Sequence, residues 1–419
     1  MNRTPPLKLL AGALLAGSLA ATASTAFALE IDPNVPPEIS LGGRLVGTTN
    51  LTSKDRPVGG EQTNTELDIA DTSVSIGLAK YLFRTGGYAF GNFGLVLPED
   101  DSDLEDNLFV HEVRIGVGHK DWEISLGRSR LPNTLVTFPT IRDDDLLAFT
   151  HVGNGNANVE AEEDQIYGGV VQGNLWFTPE WRVMGAATAR AETDLANLGS
   201  TERTSRSDLN GLAAGVFWEM PESIRFDRGL RFAGLSLDWQ QADRVGGGEE
   251  EDISAIIGGA VINLSDDPEA SWSIDLQGIY NLGSSVPSLD ANVSRARAEQ
   301  YAVVGALRYI DRPYLQTNWQ AALTVGWRDY ADISSASAFA ITPSVAWRIG
   351  SGINVVGQYR YLDQDIALAA AENNSASHTL LAGLTFSLDT TFNESVGERN
   401  SILTMEHDML DVGPVNRGH

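Results

Sequence analysis

Between Gln316 and Ser387 the chain alternates with a period of two. From Gln316 to Tyr330 the odd positions carry Trp319, Ala321, Leu323, Val325 and Trp327, while the even ones carry Asn318, Gln320, Ala322, Thr324, Gly326 and Arg328. A segment written this way is a strand with one apolar face. The next sets Phe339, Ile341, Val345, Trp347 and Ile349 against Ala340, Thr342, Ser344, Ala346 and Arg348. Then Ile353, Val355, Tyr359 and Tyr361 oppose Asn354, Gln358 and Arg360, and Leu380, Leu384, Phe386 and Leu388 oppose Thr379, Thr385 and Ser387.

The same rhythm predicts strands near 39–49, 66–82, 87–97, 108–119, 122–130, 165–176, 181–191, 208–219, 230–241, 253–264, 271–281 and 299–309, ahead of those near 316–330, 339–349, 353–362 and 378–388. In 66–82 and 230–241 the alternation slips phase, as a bulge or a misread strand would make it, so fourteen and eighteen strands stay open beside sixteen. Short turn-like connections around Arg84-Thr85-Gly86, Lys120-Asp121, Thr178-Pro179-Glu180, 221–229, 265–270, Asp311-Arg312-Pro313 and Gly350-Ser351-Gly352 interleave with longer ones at 50–65, 98–107, 131–164, 191–207, 242–252, 283–298, 331–338 and 363–377.

Alternating strands suit a sandwich with a dry core, or a barrel whose apolar face meets lipid. Three features favour the barrel. Each segment is about ten residues long, the span of a tilted strand across a bilayer. Trp319, Trp327, Trp347, Tyr359 and Tyr361 sit near the ends of the apolar faces, where interfacial aromatic girdles belong. The other face carries Gly, Ser, Thr, Gln and Arg, as a water-filled lumen would. The expected fold is therefore all-β, a transmembrane antiparallel β-barrel of about 16 strands. An even, closed count leaves no strand edge to be solvated by lipid, with short turns toward the periplasm and long loops outward.

Composition narrows the partners. The formal net charge is -27, and loss of Arg3 and Lys8 with residues 1–28 would take it to -29, which argues against nucleic acid. Absence of cysteine excludes disulfides and thiolate metal sites. No cofactor is expected. Residues 1–28 read as a signal peptide for the Sec pathway: Arg3 and Lys8, an apolar stretch from Leu9 to Ala21, then Ala26-Phe27-Ala28 before a mature start at Leu29. The expected division is a signal peptide over 1–28, an outer-membrane barrel over 29–389 and a periplasmic tail over 390–419. Within that tail Asn400 to Leu410 can form a short amphipathic helix.

The longest connection, Leu131 to Asp164, follows the fifth expected strand. It contains an apolar half, the run Asp143-Asp144-Asp145 beside Arg142, and a second acidic cluster at Glu160, Glu162, Glu163 and Asp164. The strand entering it holds Gly127-Arg128. Here the chain resembles the Gram-negative general porins, over almost the whole mature length but through short motifs. The resemblance implies a trimer of sixteen-stranded barrels, each with its third external loop folded into the lumen as a constriction. It nominates Asp143, Asp144 and Asp145 for the acidic side of that constriction. Lumen parity nominates Arg114, Arg308, Arg328, Arg348 and Arg360 as cations of the facing wall. Arg128 joins them only if a bulge at Gly127, or an aqueous loop end, overrides strict alternation from Ile124 and Leu126. Such opposed charges set up a transverse field. The plainer reading is a solvated acidic loop, with arginines paired to neighbouring carboxylates.

Other acidic clusters, Glu99 to Asp106 and Glu249 to Asp252, lack the ligand spacing of a calcium loop; divalent ions could bridge them to lipopolysaccharide. None of the histidines, His111, His119, His151, His378, His407 and His419, has a nucleophile context, so an enzyme is not expected. The expected function is a passive, cation-preferring diffusion channel of the outer membrane for small hydrophilic solutes and ions. Its expected partners are outer-membrane lipid, lipopolysaccharide and the barrel assembly machinery. A structural or adhesive barrel without conductance shares these features, and only a conductance measurement separates the two. The tail departs from the resemblance, since such barrels usually end at an aromatic residue on the last strand.

Overall fold

The structure, a computed structural model, describes residues 36–55, 62–68, 72–82, 86–97, 109–130, 135–141, 166–189, 209–221, 224, 227–242, 251–265, 267, 269–282, 300–313, 317–330, 336–350, 352–366 and 375–392. The expected signal peptide, the tail after Phe392 and the run Asp143 to Asp145 lie outside these residues. The strands are β1 (Glu38–Asp55), β2 (Gln62–Asp68), β3 (Thr72–Tyr81), β4 (Tyr88–Leu97), β5 (Phe109–His119), β6 (Trp122–Arg130), β7 (Ile166–Trp176), β8 (Trp181–Ala189) and β9 (Leu209–Glu219). They continue with β10 (Gly229–Ala242), β11 (Glu251–Asn263), β12 (Ala270–Asn281), β13 (Gln300–Asp311), β14 (Trp319–Tyr330), β15 (Ala336–Gly350), β16 (Ile353–Ile366) and β17 (Ser375–Phe392).

All pairings are antiparallel, and β17 returns to β1, with Ile39 opposite Phe392 and Asp55 opposite Ala376. The sheet is closed and has no edge. β2 and β3 share one place beside β1: β2 pairs Thr48 to Lys54, and β3 pairs Glu38 to Arg44. The barrel therefore has sixteen strand positions. From Arg44 to Thr48 is four steps, while their partners Ser73 and Asp68 are five apart, so the second position carries one residue more than its neighbour. That offset is the phase slip in 66–82. The slip in 230–241 has a similar origin, a register shift between Leu230 and Phe232.

The apolar side of each strand faces outward. Leu45, Ile115, Leu235, Leu323, Val345, Trp347, Leu380 and Leu384 are all exposed, Trp347 to 65%, while the alternate positions Thr324, Thr342, Ser344, Gln358 and Thr385 are buried. Large apolar side chains left outside and polar ones gathered inside make sense only if lipid is the outer solvent. Two aromatic bands frame this surface. Near the turn end Trp272, Tyr309 and Trp319 touch in sequence at 4.9 and 4.5 Å between centroids. Near the loop end Tyr280, Tyr301 and Trp327 do the same at 6.3 and 5.9 Å. From Trp319 to Trp327 is about 26 Å of strand, or about 20 Å of height at a tilt near 40°, close to the apolar band of an outer-membrane barrel.

Several strands outrun their expected limits at the loop end. β1 continues to Asp55 where a long loop is expected from Asn50, and β15 begins at Ala336, leaving only 331–335 between it and β14. The expected contrast between long outer and short inner connections is accordingly weaker, because the turn-end connection from Met220 to Arg228 is longer than that one. Above the bilayer a strand has no apolar face to display, so its sequence reads as a polar loop. The last strand likewise runs to Phe392, past the expected barrel limit of 389.

Candidate functional site

Among the described residues the inner face carries charges of both signs. Charges that the strands turn inward include Arg44, Arg114, Arg182, Arg308, Arg328, Arg348 and Arg360 against Glu38, Glu112, Glu123, Asp238 and Asp275. Glu219, two residues beyond Phe217, adds to the acidic side near Arg182. The order of the arginines follows from the register. Arg308 lies level with Ala322, Ser344 and Gln358 across β13 to β16. Arg348 is four residues beyond Ser344 toward the turn end, Arg360 is two beyond Gln358 toward the loop end, and Arg328 pairs with Ala338 farther still. These cations are strung along the strands for roughly 30 Å and do not form a ring.

Residues 135–141, the described part of the long connection after β6, lie against this wall inside the barrel. The N–H groups of Leu135 and Val136 both donate to Gln277 Oε1, at 2.8 and 3.0 Å. Arg308 Nη2 donates to the Thr137 carbonyl at 3.0 Å, Ser344 Oγ to the Pro139 carbonyl at 2.9 Å, and the Ile141 N–H donates to Gln358 Oε1 at 2.8 Å. The Thr140 N–H returns to the Phe138 carbonyl, closing a tight turn around Pro139. Apolar packing backs these bonds. Val136 and Phe138 sit among Val304, Ala306, Ala338 and Ala340, and Ile141 sits among Val46, Ala322, Ala346, Val356 and Leu381.

The nominated arginines are placed as follows. Arg308 donates Nε to Asp275 Oδ2 at 2.9 Å, so its charge is matched and its second arm is committed to Thr137. Arg114 lies 3.0 Å from Glu112 Oε1, close enough for an ion pair but not aligned as a hydrogen bond, with its guanidinium 5.7 Å from the Phe90 ring centroid. Arg328 is buried, and Arg348 and Arg360 are half-buried on inward register positions. Arg128 is described only in its backbone, opposite Val113. The irregularity beside it is a register shift between β6 and β7 spanning Gly127 to Ser129, with Gly127 at φ 155°. A Cβ at Gly127 would collide with the Val113 carbonyl, so only glycine fits.

Sequence reading passed over Arg44, Arg182 and Glu123. Arg182 stacks 4.8 Å over the Phe217 ring, and Glu123, only 1% exposed, accepts a bond from Tyr88 Oη at 3.1 Å. Parity alone would have found them, because each falls on the inward phase of its strand.

A closed antiparallel barrel with a lipid-facing exterior and a charged lumen is the architecture of an outer-membrane β-barrel, and the outer membrane is its place. No protein-family model matches the sequence, and no curated protein matches it. Solved structures do. The anion-selective porin from Comamonas acidovorans superposes with a TM-score of 0.57 at 14% identity, over 84% of this chain and 100% of that one. The outer membrane channel DcaP of Acinetobacter baumannii gives 0.56 at 13% identity, over 86% of this chain and 100% of that one. OmpF of Salmonella typhi, solved with daunomycin, gives 0.53 at 12% identity, over 84% and 97%. At such identities the likeness is one of fold, and the fold is that of the porins.

Proposed function

We propose that the chain is a passive diffusion channel for small hydrophilic solutes and ions, without enzymatic activity, in which the connection after β6 narrows the lumen. The observation that carries this reading is a charged inner wall crossed by residues 135–141, inside a barrel whose outer face is apolar. A barrel serving only as a structural or adhesive element has no need of charge strung along its interior, where each unmatched group costs energy unless water reaches it. Export with loss of residues 1–28, assembly by the barrel machinery, contact with lipopolysaccharide and a homotrimeric state complete the proposal; the turn end then faces the periplasm.

Cation preference is the finer part, and the fold does not fix its sign, since the Comamonas barrel of the same fold is anion-selective. The preference proposed here rests on acid in the outer connections, above all Asp143, Asp144 and Asp145, facing Arg114, Arg128, Arg328, Arg348 and Arg360. Carboxylates in a narrow passage act on ions more strongly than equal charge on an open surface, because fewer screening ions fit. Replacing the three aspartates by Asn is expected to cut the cation-to-anion permeability ratio, and replacing Glu249, Glu250 and Glu251 by Gln to cut it less. Reversal potentials in a salt gradient decide. Equal shifts, or none, would remove Asp143 to Asp145 from the constriction.

A further inference from the structure

Alanine lines the inner wall where residues 135–141 lie. Ala302, Ala306, Ala322, Ala338, Ala340 and Ala346 all point inward and none is more than 8% exposed. A wall bathed in water gains nothing from methyl groups, but a wall that must admit another stretch of backbone needs small residues. Two buried amides stand on this apolar floor, Gln277 and Gln358, and each spends its carbonyl oxygen on the segment's N–H groups, one at each end. The segment reaches from β12 to β16 with the tight turn at Pro139 between its two anchors. A slip of one residue before that turn would move Val136 and Phe138 off the floor and break both contacts with Gln277.

We propose that Gln277 and Gln358 are positioning residues that fix the register of residues 135–141 across the lumen, making the segment a fixed partition of the channel and not a lid. Arg308 and Ser344 hold the intervening carbonyls. The inference rests on the channel reading for its consequence in conductance, but not for the geometry itself.

The chain has no cysteine, so an engineered pair reports position cleanly. A Cβ at Gly259 would lie 3.0 Å from Leu135 Cβ and 2.8 Å from Val136 Cγ2, so a disulfide closes once the Val136 side chain turns aside and the two Cβ atoms part to about 3.8 Å. In full-length barrels in lipid, Leu135→Cys with Gly259→Cys is expected to cross-link readily. Adding Gln277→Leu strands the buried N–H of Val136 and the half-buried N–H of Leu135, and is expected to lower the docked-to-undocked ratio, and with it the cross-linking rate, by about tenfold. In barrels without the cysteine pair, Gln277→Leu and Gln358→Leu should each raise single-channel conductance and its noise. Gln277→Glu keeps an acceptor in place and should restore cross-linking and quiet current together. A purely structural role would reduce the amount of folded barrel and leave the current of folded molecules unchanged. If both leucine variants cross-link and conduct like the parent, the amides do not position the segment. If the parent barrel is silent, the channel reading falls, while the cross-linking comparison still decides whether the amides hold the segment.

Discussion

Phe90 and Phe138 are almost equally buried, at 6% and 7% exposure, yet they belong to walls that solve different problems. Phe138 lies on the β13 to β15 wall, where alanines make room for a second layer of chain. Phe90 belongs to β4, where no described segment lies on it and the large side chains come from the strands themselves. There a ring settles over glycines, Phe90 over Gly116 and Tyr88 over Gly118, and on β9 Phe217 does the same over Gly215 and Gly234. Arg114 and Arg182 then stack on Phe90 and Phe217. One wall is thin so that something can lie on it, and the other thickens itself. Small inward residues give the segment room at β13 to β15, but Ala186 and Ala213 are as small and as buried on β8 and β9, so size marks room and not by itself a covering.

The contrast can be broken most forcefully at Phe138. Truncation to Ala should cost about 3–5 kcal/mol of packing, enough to loosen the segment, and should change conductance as well as stability. Phe90→Ala should lower stability in denaturant titrations of barrels in vesicles while leaving conductance closer to the parent. Equal effects on conductance from the two would erase the distinction between the walls.

A smaller effect is expected at Gly215, where a methyl group would collide with the Phe217 ring. Gly215→Ala should cost about 1–3 kcal/mol, and pairing it with Phe217→Ala should return less than the sum of the single losses because the collision is gone. Gly258→Ala, which meets nothing within 4 Å, is the control and should be near neutral. Additive losses at 215 and 217 would show that the ring does not rest on the glycine.

Smallest of the three is Arg182→Met, which removes the guanidinium over Phe217 but keeps most of the side-chain volume. About 0.5–2 kcal/mol is expected, and little of it should survive when Phe217→Leu is already present. A double-mutant cycle with no coupling would leave Arg182 as an ordinary wall cation.

Parity made the barrel legible. In β14 from Trp319 to Trp327 and in β15 from Phe339 to Trp347 the odd positions face lipid as read, because lipid imposes one hard rule on every outward residue. The inner face obeys no single rule, and Ala340 was read only as a small residue lining a lumen. Six inward alanines on β13 to β15 were the available signal that this wall has room for a second layer. The contacts of Gln277 and Gln358 were beyond reach, since they join residues 141 to 217 positions apart and no local pattern encodes such a pair. Strand ends were misjudged for a different reason: outside the bilayer a paired strand and a polar loop have the same composition.

The seam between β1 and β17 joins the two ends of the barrel along 17 paired residues, tightly enough that a Cβ at Gly383 would strike the Gly47 carbonyl. Its consequence is kinetic. Bringing together segments some 350 residues apart carries a length-dependent closure cost of about 5 kcal/mol, and the ladder offsets it only when most of its bonds form together, at about 0.5 kcal/mol or more apiece. No partial chain can zip this seam, because its far half is the last strand made. Until Phe392 arrives, every precursor of this barrel carries two long unpaired strand edges, the form in which β-proteins aggregate.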